Sequence, residues 1–179
     1  TYRQGRTIDA ARFVMITAAF EWEFRRLYPD GITKRKQTVD AENAAENALM
    51  ILHNESNGKL KKIYKTLIGN IKFSQFSSRI NHTGKNLGSI IDIFGNRLYR
   101  LNNQTLKYAD VGTRLGKQRN NYAHGNLDQD FVGLSLLDLI YLEMVVYAMQ
   151  LKFYGVADMT IQRAINDLFH QNIMIKDSE

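Results

Sequence analysis

Apolar positions recur along this chain at three- and four-residue spacing, and no stretch alternates with period two over any length. The pattern predicts helices throughout. A first helix over residues 7 to 28 carries two apolar stripes, Ile8, Ala11, Met15, Ala18 and Trp22 on one side and Phe13, Phe20, Phe24 and Leu27 on another, as expected of a helix buried on two faces. Pro29-Asp30-Gly31 ends it, and Lys34-Arg35-Lys36 falls in the connection that follows. Asp40 is placed to cap a second helix with Ala41, Ala44, Ala45, Ala48 and Leu52 inward. A lysine-rich third helix turns Leu60, Ile63, Tyr64 and Leu67 inward and Lys59, Lys61, Lys62 and Lys65 outward, with Gly69 as its stop.

Residues 71 to 83 read as a short helix on Phe73, Phe76 and Ile80. Residues 86 to 101 form a clean amphipathic helix through Leu87, Ile90, Ile91, Phe94, Leu98 and Leu101, broken by Asn102-Asn103-Gln104. The next helix, 105 to 124, meets a left-handed cap at Gly125. After a polar turn over 125 to 130, whose Asp130 is placed as a cap, a very apolar helix runs from 131 to 154. Asp138, Glu143, Gln150 and Lys152 mark it as a core helix and not a membrane span. Asp158 caps a last helix with Ile161, Ile165, Leu168 and Phe169 on one side. The expectation is an all-α bundle of five to seven helices, a single domain over 1–179 with tails at 1–6 and 171–179.

Composition narrows the chemistry. The chain is 44% hydrophobic and 23% charged, enough apolar material for a sizeable core. Absence of cysteine excludes disulfides, Cys-ligated zinc and thiol catalysis. A net charge of +6 favours an acidic partner such as nucleic acid or an anionic membrane, although modestly basic proteins are common. The first residues carry no apolar signal core and no initiator Met, which points to a cytoplasmic chain numbered from inside a longer protein or after processing.

The helix ending at His124 carries the one inconsistency in the pattern. Tyr108, Val111, Leu115 and Tyr122 form its apolar stripe, and Arg119 lies about 40° from the centre of that stripe. A guanidinium there needs anionic or hydrogen-bonding partners, or else snorkels past its neighbours into water. Asp110, Thr113, Arg114, Lys117, Asn120, Asn121 and His124 share a polar face elsewhere. Arg119 and His124 stand about 140° apart on an ideal helix, so a shared site requires either unwinding before His124 or a second subunit packed on this helix.

The run Arg119-Asn120-Asn121-Tyr122-Ala123-His124-Gly125, with Lys117-Gln118 before it, resembles the signature of HEPN domains, and of their Apea-like branch in particular. The stretch from Ala11 to Pro29 resembles the opening helix of that branch. The resemblance implies a homodimeric HEPN-type bundle joined through the motif helix, with a composite site that cleaves RNA without a metal or cofactor, in antiphage defence or as a toxin. It further implies that the domain is the C-terminal part of a longer protein, under a regulatory domain or an antitoxin partner, with tRNA as substrate by family analogy.

Residue chemistry agrees with that implication. RNA carries its own nucleophile in the 2′-hydroxyl. A histidine, with an ordinary pKa of about 6.5, serves as general base or acid, and an arginine fork suits phosphoryl charge. Arg119 and His124 are the expected catalytic pair. Asn120 is the expected supporting residue, and Arg114, Lys117 and Asn121 are the expected RNA contacts. The competing expectation is a catalytically silent HEPN module that dimerises or binds RNA.

Other residues carry less. Glu21 and Glu23 stand four and three residues before Arg25 and Arg26, the spacing of ordinary helical ion pairs, with orientation of Arg119 as the alternative role for a glutamate of this helix. The string from Asn126 to Asp130 lacks the glycine and glutamate of a calcium loop. His53, His82 and His170 have no partner at metal-ligand spacing. The lysine face of the third helix reads as solvated, with an RNA track as its rival.

Overall fold

A computed structural model describes residues 9–72, 74–126 and 131–175. Among them are seven helices and no strand: α1 (Ala10–Leu27), α2 (Lys36–Glu55), α3 (Gly58–Ile71), α4 (Phe76–Leu101), α5 (Tyr108–Ala123), α6 (Ser135–Phe153) and α7 (Asp158–Leu168). The all-α class expected from periodicity is what forms. Two compact units are distinguished, one comprising the segment up to Pro29 with that from Phe76 onward, the other Asp30–Gln75.

In the five-helix unit α6 is central, packing on α1, α4, α5 and α7, while α4 also packs on α5. Leu139, Tyr141, Leu142, Met144, Ala148 and Met149 of α6 are all buried, which is why that segment is apolar on every side. Phe13, Phe20 and Phe24 of α1 complete the core, with Ile90, Ile91 and Phe94 of α4 and Val111 and Leu115 of α5. Helices α4 and α5 approach so closely that a Cβ at Gly112 would lie 2.8 Å from the backbone of Ser77. Among the described residues no helix is long and apolar enough to cross a membrane.

Several expectations need correction. Helix α1 buries one face only: Ala11, Met15, Ala18 and Trp22 are exposed, Trp22 at 63%. Its start is fixed at Ala10 because the Asp9 side chain accepts the Arg12 N–H at 2.8 Å; Thr7 and Ile8 lie outside the described residues. The short helix expected before residue 86 is the first part of the 26-residue α4, since nothing between Phe76 and Leu101 breaks the helix. Helix α6 begins at Ser135 and not at 131, because Gly133 takes a left-handed φ of 59° just before it. The Asp130 cap and most of the calcium-like string lie outside the described residues. Asp158 is the first residue of α7 and Ala157 its cap; Leu168 at its far end is exposed.

The α2–α3 hairpin departs furthest from expectation. Helix α2 starts at Lys36, so Asp40 is interior to it, and α3 runs through Gly69 to Ile71. Neither helix has a buried residue. Ala41, Ala44, Ala45, Ala48 and Leu52 of α2, and Leu60, Ile63 and Leu67 of α3, all expected inward, are exposed. The two helices pack on each other, and their half-buried positions are Glu42, Glu46, Leu49 and His53 on one and Tyr64, Ile68 and Ile71 on the other. Lys34 and Lys72 pair with Glu42 and Glu46 at 2.6 and 2.5 Å.

Four helices of the larger unit end alike. After α4, α5, α6 and α7 the backbone turns left-handed at Asn103, Gly125, Gly155 and His170. In each case the next N–H reaches back five residues, as in Gln104 to Tyr99 at 2.8 Å and Asn126 to Asn121 at 3.3 Å. These are Schellman caps, which satisfy the last carbonyls of a helix.

Candidate active site

The C-terminal half of α5 carries the expected pair. Arg119 donates through Nη1 to Glu21 Oε1 at 2.8 Å, a contact between residues almost a hundred positions apart in the chain. This is the contact that an orienting role for a glutamate of the first helix would need. The Arg119 side chain keeps 42% exposure, so it meets a carboxylate and also reaches water. The guanidinium carbon also lies 5.3 Å from the centre of the Phe76 ring, within cation–π range.

Glu21 is shared. Its carboxyl, only 11% exposed, stands 3.2 Å from Arg79 Nη1 and 3.6 Å from Arg25 Nη2. Arg79 is buried on α4, and its guanidinium carbon lies 5.7 Å from the Phe24 ring centre. Arg25 is exposed and sits one helical turn beyond Glu21, at the pairing the sequence predicts. Three guanidiniums therefore converge on one carboxylate contributed by α1. Glu23 pairs as expected with Arg26, at 3.0 Å.

His124 caps α5. Its backbone N–H bonds the carbonyls of Asn120 and Asn121 at 3.1 and 3.2 Å, and Gly125 follows with φ 85° and bonds Tyr122 O at 3.0 Å. The helix stays wound up to Ala123, so unwinding before His124 is not what happens. His124 is exposed, as are Asn120 and Lys117, and Asn121 is half-buried. On this continuous helix Arg119 and His124 keep the different faces that helix geometry assigns them.

Arg114 goes elsewhere. Its Nε and Nη2 donate to Asp138 Oδ2 and Oδ1 at 2.6 and 2.8 Å, a bidentate pair in which Asp138 is fully buried on α6. Tyr99 also donates to Asp138. The hydrogen bond that Arg114 donates to Asp138 is the main cause that raises its pKa, and burial, with Asp138 second, holds the Tyr99 phenol far above its ordinary value. Arg114 thus anchors α5 to α6, and its guanidinium is committed to a carboxylate. Beside it Tyr108 donates to Asp92 and meets the Tyr141 hydroxyl at 2.7 Å.

Sequence reasoning missed Arg79, Asp138 and Asp92 as members of these clusters. The signal that marks Arg119 also marks Arg79, since it flanks the stripe of Phe76, Ile80, Thr83 and Leu87, all buried. Asp138 was visible only as an interruption of an otherwise apolar helix. Gln118, buried beside Arg119, accepts the Val132 N–H at 3.1 Å and so ties α5 to the segment that leads into α6. Among the described residues no group of three or more His, Asp or Glu side chains stands together as a metal site. No family model matches this chain, and neither a curated protein nor a solved structure matches it.

Proposed function

We propose that this chain is a HEPN-type endoribonuclease, working without a metal or cofactor as a cytoplasmic homodimer in antiphage defence or as a toxin. The observation that carries the reading is the setting of the motif. Arg119 pairs with Glu21 while its side chain keeps part of its surface in solvent, and His124 is displayed on a hydrogen-bonded cap at the end of the same helix. Because α5 stays helical to Ala123, the reading takes the two-subunit alternative. Two copies meeting on α5 set Arg119 of one protomer toward His124 of its partner.

In this reading a histidine removes the proton of an RNA 2′-hydroxyl, whose oxygen attacks the adjacent phosphorus. Arg119 stabilises the charge on the phosphorane oxygens. The 5′-oxygen leaves as a hydroxyl after receiving a proton, and the products are a 2′,3′-cyclic phosphate and a 5′-hydroxyl. Asn120 and Lys117, both exposed, and half-buried Asn121 supply further RNA contacts. Arg114 is assigned the anchoring role instead. A regulatory domain or antitoxin restrains the activity, and tRNA is the substrate to try first.

The second reading, a catalytically silent module for dimerisation or RNA binding, is favoured by the separation of Arg119 and His124 around one continuous helix. One experiment separates the two. The purified protein is incubated with a tRNA and mRNA pool in EDTA, beside Arg119→Ala and His124→Ala. Cleavage with cyclic-phosphate ends, lost in both variants, supports the nuclease. RNA bound but uncut by all three supports the silent module, and equal cleavage by all three removes the site assignment.

A further inference from the structure

Three arginines gather around one carboxylate, and the two exposed ones, Arg25 and Arg119, already outweigh Glu21 by one positive charge, more than holding Arg119 in place requires. Like charges gathered at a partly buried site repel one another, and an added anion relieves that repulsion. The three are not equivalent. Arg79 is 7% exposed and locked between α4 and α1, whereas Arg25 is 67% exposed and Arg119 is 42% exposed. The two accessible guanidiniums approach opposite oxygens of the Glu21 carboxyl, Arg119 at Oε1 and Arg25 at Oε2. Each guanidinium has five N–H donors, so a contact at one nitrogen leaves capacity for a second anion.

We infer that Arg25 and Arg119 form a two-arginine clamp for a single phosphate group of RNA, with Glu21 as the spacer that sets their separation. The inference rests on the nuclease reading for the identity of the strand, and it adds Arg25 as a binding residue of the same site. Local sequence explains why Arg25 is available. It stands one turn after Glu21 on the same side of α1, so it follows directly on the contact that Glu21 makes with Arg119 of α5. Arg26, its neighbour, is committed to Glu23 and stacked on Phe153, so it is not interchangeable with Arg25.

The test is binding of a fully 2′-O-methylated RNA oligonucleotide, which lacks the attacking hydroxyl and cannot be cut by the proposed route. Its affinity is measured for the full chain, for Arg25→Ala, Arg119→Ala and the double variant, and for Arg100→Ala as a control that removes one exposed charge elsewhere. Each clamp variant is expected to weaken binding about tenfold, with the double variant losing clearly less than the product of the two. Arg100→Ala is expected to change it less than threefold. Inorganic phosphate is then used as competitor: competition lost with Arg25→Ala shows a clamp that takes free phosphate as well as the strand, and no competition restricts the clamp to the strand. Unchanged affinity in Arg25→Ala, or independent losses that multiply, overturns the clamp. A coupled loss without cleavage of ordinary RNA by the wild type keeps the clamp and removes the nuclease reading; cleavage with an indifferent Arg25 does the reverse. Because Arg25 is exposed, its variant is expected to unfold at the same denaturant concentration as the wild type.

Discussion

Two carboxylate–arginine clusters lie along α5, one near its middle and one near its end, and they divide their charges differently. At Asp138 one fully buried carboxylate is matched to one arginine, Arg114, through two hydrogen bonds, and Tyr99 supplies a further donor. At Glu21 one carboxylate is spread over Arg25, Arg79 and Arg119, and two of the three reach solvent. The first arrangement closes on itself, as a buried pair must if desolvation is to be offset. The second is left with positive charge facing outward. Charge stoichiometry, more than burial alone, separates an arginine that holds the fold together from one open to a ligand.

The largest effect is expected from breaking the closed cluster. Asp138→Asn removes the charge that Arg114 was desolvated to meet, and it should lower stability by about 3 kcal/mol in urea unfolding. A loss under 1 kcal/mol would show that Arg114 escapes to water. Glu21→Gln should cost about 2 kcal/mol, because Arg79 is as buried as Glu21 but Arg25 and Arg119 are already partly hydrated. A loss larger than that of Asp138→Asn would invert the comparison.

Alkaline pH sharpens it further, through the phenol of the Asp138 cluster. Tyr99, like nearby Tyr108 and Tyr141, is held above its ordinary value of 10, chiefly by burial. A folded pKa above the unfolded one means the stabilisation is whole below pH 10 and is lost as pH rises beyond it. Each such tyrosine then contributes up to about 1.4 kcal/mol per pH unit. Absorbance at 295 nm should show these phenolates appearing together with unfolding; early, independent ionisation would contradict the burial. The smallest effect belongs to Arg119→Ala, expected to cost less than about 1 kcal/mol in the same urea experiment because its guanidinium already reaches water and Glu21 keeps Arg79 and Arg25. Near-normal stability with lost RNA cleavage is the combination that marks the outward-facing cluster.

How far the sequence could be read depended on what each position reports. Helix α6 was legible as the central helix because apolar residues recur on every side of it, and within it only Leu136, Tyr147, Gln150 and Phe153 are exposed. The exception to a stripe was legible too, at Arg119, but its partner could be raised only as one role for a glutamate of the first helix, since no local pattern links residues 21 and 119. In the α2–α3 hairpin, periodicity identified the apolar faces correctly and misjudged their fate. Ile63 and Leu67 stand exposed because amphipathicity says which side of a helix is apolar and not whether anything packs against it. Trp22 repeats that lesson on α1.

The Schellman cap after α5 has a consequence for how this site can change over time. The backbone at position 124 is held by main-chain hydrogen bonds and by the left-handed glycine that follows, and the imidazole itself is exposed. Folding therefore places almost no selective demand on which side chain stands there. One substitution can remove the histidine, and one reversion can restore it, at no cost to the architecture. On the nuclease reading proposed above, a lineage built on this helix could pass between cutting and purely binding forms by single steps, with the rest of the bundle unchanged.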